Sequence, residues 1–327
     1  ALLWALVFSV GATIVLQEMA VRQALVTRAG LATTLRTALA GSWLGRAAVL
    51  LVIAAVGLGN AAYESGNIAG AAIALSGIAA LPISAWSVLI GLVAAALMFT
   101  PAYRQLERVL IALVLLMSAV FVVCALALAP DWPAMARGLL QPQMPAGSLT
   151  TVIALIGTTV VPYNLFLQAN AVREKWPADV PLARALNEAR TDTALAVVLG
   201  GLITLAIVST SAVLYFGSNA AFTPAQLAAQ LEPVLGPAGR YFFAAGLLAA
   251  GLTSAITAPL AAAFAVCGAL GWDDSLRGGR FRAVALTVVL TGTQFAATGS
   301  RPLAAIGFAQ AANGLLLPFV AIALLWL

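Results

Sequence analysis

The chain consists of long apolar runs separated by short polar connections. A helix that crosses a bilayer needs roughly 20 mostly apolar residues. Windows of that kind predict nine crossings, at about residues 1–25, 46–78, 83–100, 107–129, 148–174, 192–216, 238–270, 281–298 and 302–327. The run 109–128 is apolar on every face, whereas the strands of a membrane barrel alternate apolar and polar residues. The pattern therefore predicts an all-α polytopic membrane protein, with residues 1–327 as a single transmembrane domain.

Composition agrees with this prediction. Of the 327 residues, 63% are apolar and 8% are charged, whereas a soluble domain carries about 25% charged residues. A water-soluble enzyme, and a soluble domain on one anchor, are both excluded. Histidine is absent, so the commonest transition-metal ligand is missing. Cys124 and Cys267 lie in apolar runs and are interpreted as small hydrophobic residues.

Basic residues are unevenly distributed among the connections, and positive residues are retained on the cytoplasmic side of membrane proteins. Thirteen of the 16 fall in alternate connections: Arg22, Arg28, Arg36, Arg46, Arg104, Arg108, Arg173, Lys175, Arg184, Arg190, Arg277, Arg280 and Arg282. The other side has only Arg137, Arg240 and Arg301. The net charge of +5 is therefore interpreted as orientation in a lipid bilayer, and it requires no nucleic-acid partner.

This orientation places the first residue outside, which is unusual for a chain without a signal peptide and predicts one further helix upstream of Ala1. We expect a multi-pass protein of the cell membrane, specifically of a bacterial inner membrane, and a monomer.

The fifth predicted span is interrupted midway by the segment 157–164, Gly-Thr-Thr-Val-Val-Pro-Tyr-Asn. Pro162 removes one backbone hydrogen bond, and its ring clashes with the carbonyl one turn earlier, which predicts that the helix unwinds. Freed carbonyls at membrane depth are tolerated where they are buried in protein or line a hydrated cavity. In transporters such points coordinate ions. A simple proline kink is the alternative.

The residues from Val161 to Leu167, Val-Pro-Tyr-Asn-Leu-Phe-Leu, resemble the sixth helix of the NRAMP family of divalent-metal transporters. The family motif is Met-Pro-His-Asn-Leu, followed by an aromatic residue and Leu. Residues 251–257 resemble the eighth helix, and Gln310 lies eight residues before Pro318 as in the tenth. Leu2-Leu3-Trp4 and Leu16-Gln17 resemble the second helix.

The resemblance covers family helices two to ten, and the first helix, with its Asp-Pro-Gly-Asn motif, is absent from this sequence. It implies a leucine-transporter-type (LeuT-type) bundle of two inverted five-helix repeats, in which the first and sixth helices are broken at the centre. Nine transmembrane helices are expected here.

Three metal-site positions follow from the resemblance. Thr158 is expected to offer its backbone carbonyl to the ion, Val161 takes the place of the metal-binding methionine, and Gln310 corresponds to a glutamine that approaches the ion. A thioether favours soft transition metals, whereas valine offers no ligand. Carbonyls, an amide and water suit a hard, partly hydrated cation such as Mg²⁺. The chain thus resembles divergent branches of the family, which include Mg²⁺ transporters.

The resemblance and these substitutions together predict a secondary-active transporter of divalent cations, a hard ion such as Mg²⁺ or Mn²⁺, working by alternating access. The alternatives are a transition-metal transporter of the usual NRAMP type, an organic-solute carrier on the same scaffold, and a non-transporting membrane scaffold or sensor. No nucleotide-binding loop, nucleophile elbow or HExxH motif occurs, so neither an enzyme nor a bound cofactor is expected.

Four residues are assigned to the transport pathway. Tyr163 occupies the position of a family histidine linked to proton movement, and Asn164 follows it. A phenol ordinarily has a pKa of about 10, so weakened proton coupling is expected; packing against a neighbouring helix is the alternative. The resemblance places Asn67 where the family has an acidic residue on its proton route, and Glu64 lies one turn earlier on the same face.

Glu64 is the only acidic residue near the centre of any predicted helix, and an ionisable group at that depth is a functional hypothesis by default. The alternative is a structural carboxyl, protonated or hydrogen-bonded between helices. Glu18 and Arg22, four residues apart, are expected to form a pair within their own helix.

Overall fold

The structure is a computed structural model that describes residues 2–79, 81–100, 103–216, 224–298 and 302–326. Helices account for most of these residues, and no strand occurs among them. In chain order the α-helices are α1 (Leu3–Thr27), α2 (Leu31–Ala38), α3 (Trp43–Val52), α4 (Gly59–Ser76), α5 (Ile83–Leu97), α6 (Tyr103–Ala127), α7 (Trp132–Leu140), α8 (Leu149–Thr159), α9 (Pro162–Lys175), α10 (Leu182–Tyr215), α11 (Pro224–Ala229), α12 (Glu232–Leu235), α13 (Gly239–Leu270), α14 (Gly279–Ala297) and α15 (Pro302–Trp326).

Each of the nine predicted windows contains helical structure within the described ranges. Among the described residues, five helical segments are long and apolar enough to cross a membrane: Leu3–Thr27, Gln105–Ala127, Leu149–Lys175, Leu182–Tyr215 and Glu232–Leu270. Two shorter apolar helices lie at Ile83–Leu97 and Asn313–Trp326. The predicted all-α bundle is confirmed. Arg301 lies outside the described residues.

The second window contains a continuous helical segment in which α3 and α4 are joined by a π-helical segment, Ile53–Leu58. Short π segments inside α-helices are rare and occur frequently at functional sites. This one ends immediately before α4, which has polar side chains in its first two turns. This helical segment is therefore irregular immediately before its polar residues.

The cation-rich connections meet at one end of the bundle. The guanidinium of Arg28, after α1, donates a 2.7 Å hydrogen bond to the carbonyl of Trp176, after α9. Arg36 on α2 donates to the carbonyl of Gly268 near the end of α13. The guanidinium of Arg282 lies 5.1 Å from the ring centroid of Phe99, after α5. These contacts are those expected if alternate connections share one side of the membrane.

The predicted pair between Glu18 and Arg22 is wrong. Glu18 instead accepts from Arg190 on α10, with Nη2 2.7 Å from Oε1. The pair joins two helices, because α1 and α10 pack side by side at this end and the Arg190 side chain reaches across.

Close packing places α4 at the centre, against α13, α14 and α15. Small residues allow the approach: a Cβ atom added at Gly251 on α13 would lie 2.7 Å from the Cβ of Ala71 on α4. A Cβ atom at Gly292 on α14 would lie 2.5 Å from the Cγ of Glu64. Small residues at helix contacts are typical of membrane bundles. The polar turns of α4 are thereby enclosed by its neighbours.

Candidate functional site

The predicted break in the fifth span is present. Helix α8 ends at Thr159 and α9 begins at Pro162. Between them Val160 has φ −94° and ψ 79°, and Val161 has φ −86° and ψ 121°. In a continuous helix the N–H of residue 162 would bond to the carbonyl of Thr158, but proline has no N–H. The backbone oxygen assigned to the ion is therefore left without its helical donor.

Gln310 reaches this point because α8 and α15 touch through their backbones. Any Cβ atom at Gly157 would collide with the carbonyl of Gln310, and it would lie 2.5 Å from the backbone nitrogen of Gly314. Thr158 is the next residue on α8. The structure thus brings together two of the three predicted metal-site residues, which are 152 positions apart in the sequence.

Tyr63 on α4 completes this arrangement. Its hydroxyl group lies near the side chains of both Thr158 and Gln310. Sequence reasoning did not assign Tyr63 to the site, although a signal was available, because a tyrosine in the middle of an apolar span needs a partner for its hydroxyl. Three helices, α4, α8 and α15, therefore each contribute a polar group at the break.

Val161 and Tyr163 lie in the packed core. Their exposed fractions are 5% and 8%, and both belong to the same apolar cluster as Phe166. The ring of Tyr163 contacts that of Tyr63 edge to face, with centroids 5.8 Å apart. Thr158, Asn164 and Gln310 are only partly buried. The roles assigned to Val161, Tyr163 and Asn164 stay predictions.

Glu64 forms a second polar cluster on another face of α4. It is fully buried, and its Oε2 accepts a 3.1 Å hydrogen bond from Asn67. Its Oε1 has no hydrogen-bond partner among the described residues. Successive residues of a helix point about 100° apart, so Tyr63 faces the break while Glu64 faces Gly292 on α14. Glu64 therefore does not share the face of α4 on which Tyr63 lies near Thr158 and Gln310.

The groups at the break are neutral. Among the described residues, no cluster of three or more His, Cys, Asp or Glu side chains is arranged to hold a metal ion. A carbonyl, a side-chain amide and two hydroxyl groups remain, which are hard oxygen donors. The end of α8 also adds the partial negative charge of a helix C-terminus. These donors are of a type that suits a cation, and none of them carries a full negative charge as a carboxylate would.

Comparison with known proteins identifies the family. The Nramp family profile, described as Natural resistance-associated macrophage protein-like, matches residues 1–327. The chain belongs to the Nramp family. The resemblance found at the broken helix thus extends over the whole chain.

Several curated relatives of this Nramp chain are named divalent metal cation transporter MntH. The protein of Acidiphilium cryptum is 26% identical over 331 aligned positions, covering 99% of this chain and 74% of the relative. That of Xylella fastidiosa strain Temecula1 is 31% identical, covering 74% of this chain and 53% of the relative. That of Pectobacterium carotovorum is 28% identical, covering 48% and 39%. For most of the first relatives, the match spans about half of their length or less.

Solved structures show the same fold. A crystal structure of the Eremococcus coleocola manganese transporter, in complex with an aromatic bis-isothiourea compound, superposes with a TM-score of 0.75 at 23% identity. The match covers 99% of this chain and 72% of the other. The predicted LeuT-type architecture is confirmed.

Proposed function

We propose that this Nramp chain transports a divalent metal cation across the membrane by alternating access, with its ion site at the break between α8 and α9. One observation carries the proposal: Thr158, whose carbonyl Pro162 frees, lies next to the contact of α8 with Gln310 on α15, and the hydroxyl of Tyr63 on α4 lies near the side chains of both residues. The MntH relatives are named divalent metal cation transporters, which supports a divalent metal as the substrate.

The donor set favours a hard ion, Mg²⁺ or Mn²⁺. Carbonyl, amide, hydroxyl and water ligands suit Mg²⁺ and Mn²⁺, whereas thioethers select softer metals. Val161 brings no ligand to the site. Mg²⁺ gives up its water reluctantly and usually keeps part of its hydration shell, so neutral oxygens that contact that shell are sufficient. Mn²⁺ is the ion named for the Eremococcus coleocola relative.

The proposal extends to the oligomeric state, the membrane location and the cofactor requirement. We propose that the protein works as a monomer in the cell membrane of a bacterium, and that it carries its substrate without a bound cofactor. The basic end of the bundle, at Arg28 and Arg36, would face the cytoplasm.

Uptake into proteoliposomes tests the proposal. Vesicles containing the purified protein are expected to take up Mg²⁺ and Mn²⁺ with saturation. Gln310→Ala is expected to raise the KM about tenfold, because it removes a hydrogen-bonding contact to a charged ligand. Gln294→Ala is the matched control, since this glutamine is exposed on α14 away from the break.

Two results would contradict the proposal. The first is an absence of saturable uptake in vesicles prepared beside an active MntH protein. The second is saturable uptake of an amino acid that divalent ions do not affect, which would select the organic-solute carrier instead.

A further inference from the structure

Tyr63 is a polar side chain at the break that the proposed function places beside the site without assigning it a contact with the ion. It lies one turn beyond the start of α4, in the irregular central helix, and its side chain is only partly buried. Its hydroxyl lies near the side chains of two residues assigned to the ion, Thr158 and Gln310. A tyrosine hydroxyl with a purely structural role would more simply bond to a backbone carbonyl, as that of Tyr215 does with the carbonyl of Gln226.

The ring of Tyr63 holds its hydroxyl in place. Edge-to-face contact with Tyr163, at 5.8 Å between centroids and 68° between planes, is a favourable geometry for two aromatic rings. Tyr163 is itself fixed in the apolar core. The hydroxyl of Tyr63 is therefore presented to Thr158 and Gln310 by a side chain with little rotational freedom.

We propose that the Tyr63 hydroxyl is an oxygen ligand of the transported cation or of its hydration shell, and that it determines the preference of the site for hard ions. This inference rests on the proposed function. A phenol hydroxyl carries one donor and acceptor lone pairs. The hydroxyl lies near the side chains of Thr158 and Gln310, and when the cation is bound a lone pair turns to the ion or to its water.

The hydroxyl of Tyr63 supplies a ligand atom that the side chain of Val161 lacks. Where the resemblance places a soft sulfur, at the residue before α9, this chain has a buried aliphatic group, and the hydroxyl oxygen of Tyr63 comes from α4. The exchange replaces a thioether with a hydroxyl, which moves the preference from soft transition metals toward Mg²⁺ and Mn²⁺. Tyr63 is thus a specificity-determining residue that the motif around residue 161 does not contain.

Tyr63→Phe tests the inference, because it removes one oxygen and keeps the ring. We expect the KM for Mg²⁺ to rise about tenfold, since a lost contact to a charged group costs about that factor in affinity. The KM for Cd²⁺ should change less than threefold, because a soft ion gains little from a hard ligand. Tyr241→Phe is the matched control: this tyrosine is exposed on α13 and its hydroxyl accepts from Arg240.

A second readout separates ligation from a structural role. A bound ion raises the melting temperature of the protein to a degree that depends on its affinity. At a fixed Mg²⁺ concentration, this increase should be largely lost in Tyr63→Phe and retained in Tyr241→Phe. If Tyr63→Phe does not fold, Tyr63→Trp replaces it, because indole keeps an aromatic ring but offers no acceptor oxygen.

The experiments distinguish failure of this inference from failure of the proposed function. Unchanged Mg²⁺ KM in Tyr63→Phe overturns the inference and leaves the proposed function standing. A lower melting temperature without ion, combined with an unchanged Mg²⁺-induced increase, also overturns it, because Tyr63 would then only join helices. An absence of uptake by the unmodified protein overturns the proposed function, and this inference with it.

Discussion

The side-chain amide of Asn67 donates a 3.1 Å hydrogen bond to Oε2 of Glu64, one turn earlier on α4. None of the ion pairs between described residues includes Glu64, and its second oxygen has no partner there. Because a buried polar group without a hydrogen-bond partner is costly, this bond stabilises the carboxyl group of Glu64 inside the bundle. Asn67 and Glu64 thus act as one polar unit inside the bundle.

Asn67→Leu is expected to destabilise the protein, because it leaves both oxygens of Glu64 buried without donors. The free energy of unfolding should fall by about 1–3 kcal/mol. The double variant Glu64→Met and Asn67→Leu should recover most of the loss, since replacing both partners with apolar groups of similar shape is nearly neutral. Thermal unfolding in one detergent measures all three proteins, and a double variant less stable than Asn67→Leu would refute the interpretation.

Pro162→Ala is expected to abolish transport while maintaining or raising stability. Alanine restores an N–H that can bond to the carbonyl of Thr158, so the helix closes over the oxygen that the ion needs. Uptake of Mg²⁺ and thermal unfolding are measured in parallel. Pro259→Ala, at a proline inside α13, is the control and should retain uptake. Equal uptake by both variants would mean that the free carbonyl is not used.

Val161→Met is expected to shift the ion preference toward soft metals. A thioether beside the break adds the ligand type that Cd²⁺ and other soft ions prefer, so the ratio of Cd²⁺ to Mg²⁺ uptake should rise about tenfold. The larger side chain should also cost about 1–3 kcal/mol of stability, because position 161 is packed. Val160→Met, at an equally buried neighbour, should carry the same cost without the shift. A shift in both variants would point to general loosening of the core.

Gly157→Ala is expected to damage both packing and ion binding. The added Cβ collides with the carbonyl of Gln310, so α15 must move away, with an expected loss of about 1–3 kcal/mol and a higher KM for Mg²⁺. Gly200→Ala on α10 is the control, because a Cβ there meets nothing within 4 Å. Its stability should stay the same or rise by up to about 1 kcal/mol. Similar losses in the two variants would show that helix propensity, rather than contact with α15, is responsible.

Much of the fold could be predicted because the bilayer imposes simple rules. The apolar windows predicted where α1, α6 and α10 would lie, since each crossing must satisfy its own backbone hydrogen bonds. The break could be predicted from Pro162 alone, because every proline lacks the N–H that a continuous helix needs. The predicted partner of Glu18 was wrong because the i, i+4 rule considers only residues of the same helix, whereas Arg190 comes from another helix.

At the functional site, too, some features follow from the sequence and others only from helix packing. The sequence by itself determined the helical class, the position of the broken span, the freed carbonyl of Thr158 and the absence of a soft ligand at Val161, because each depends on residue type and local spacing. Only the tertiary structure decided that Tyr63 meets Thr158 and Gln310 while Glu64 points away toward Gly292. These contacts join α4, α8, α14 and α15 over long sequence separations, and they depend on how the helices rotate and approach when they pack.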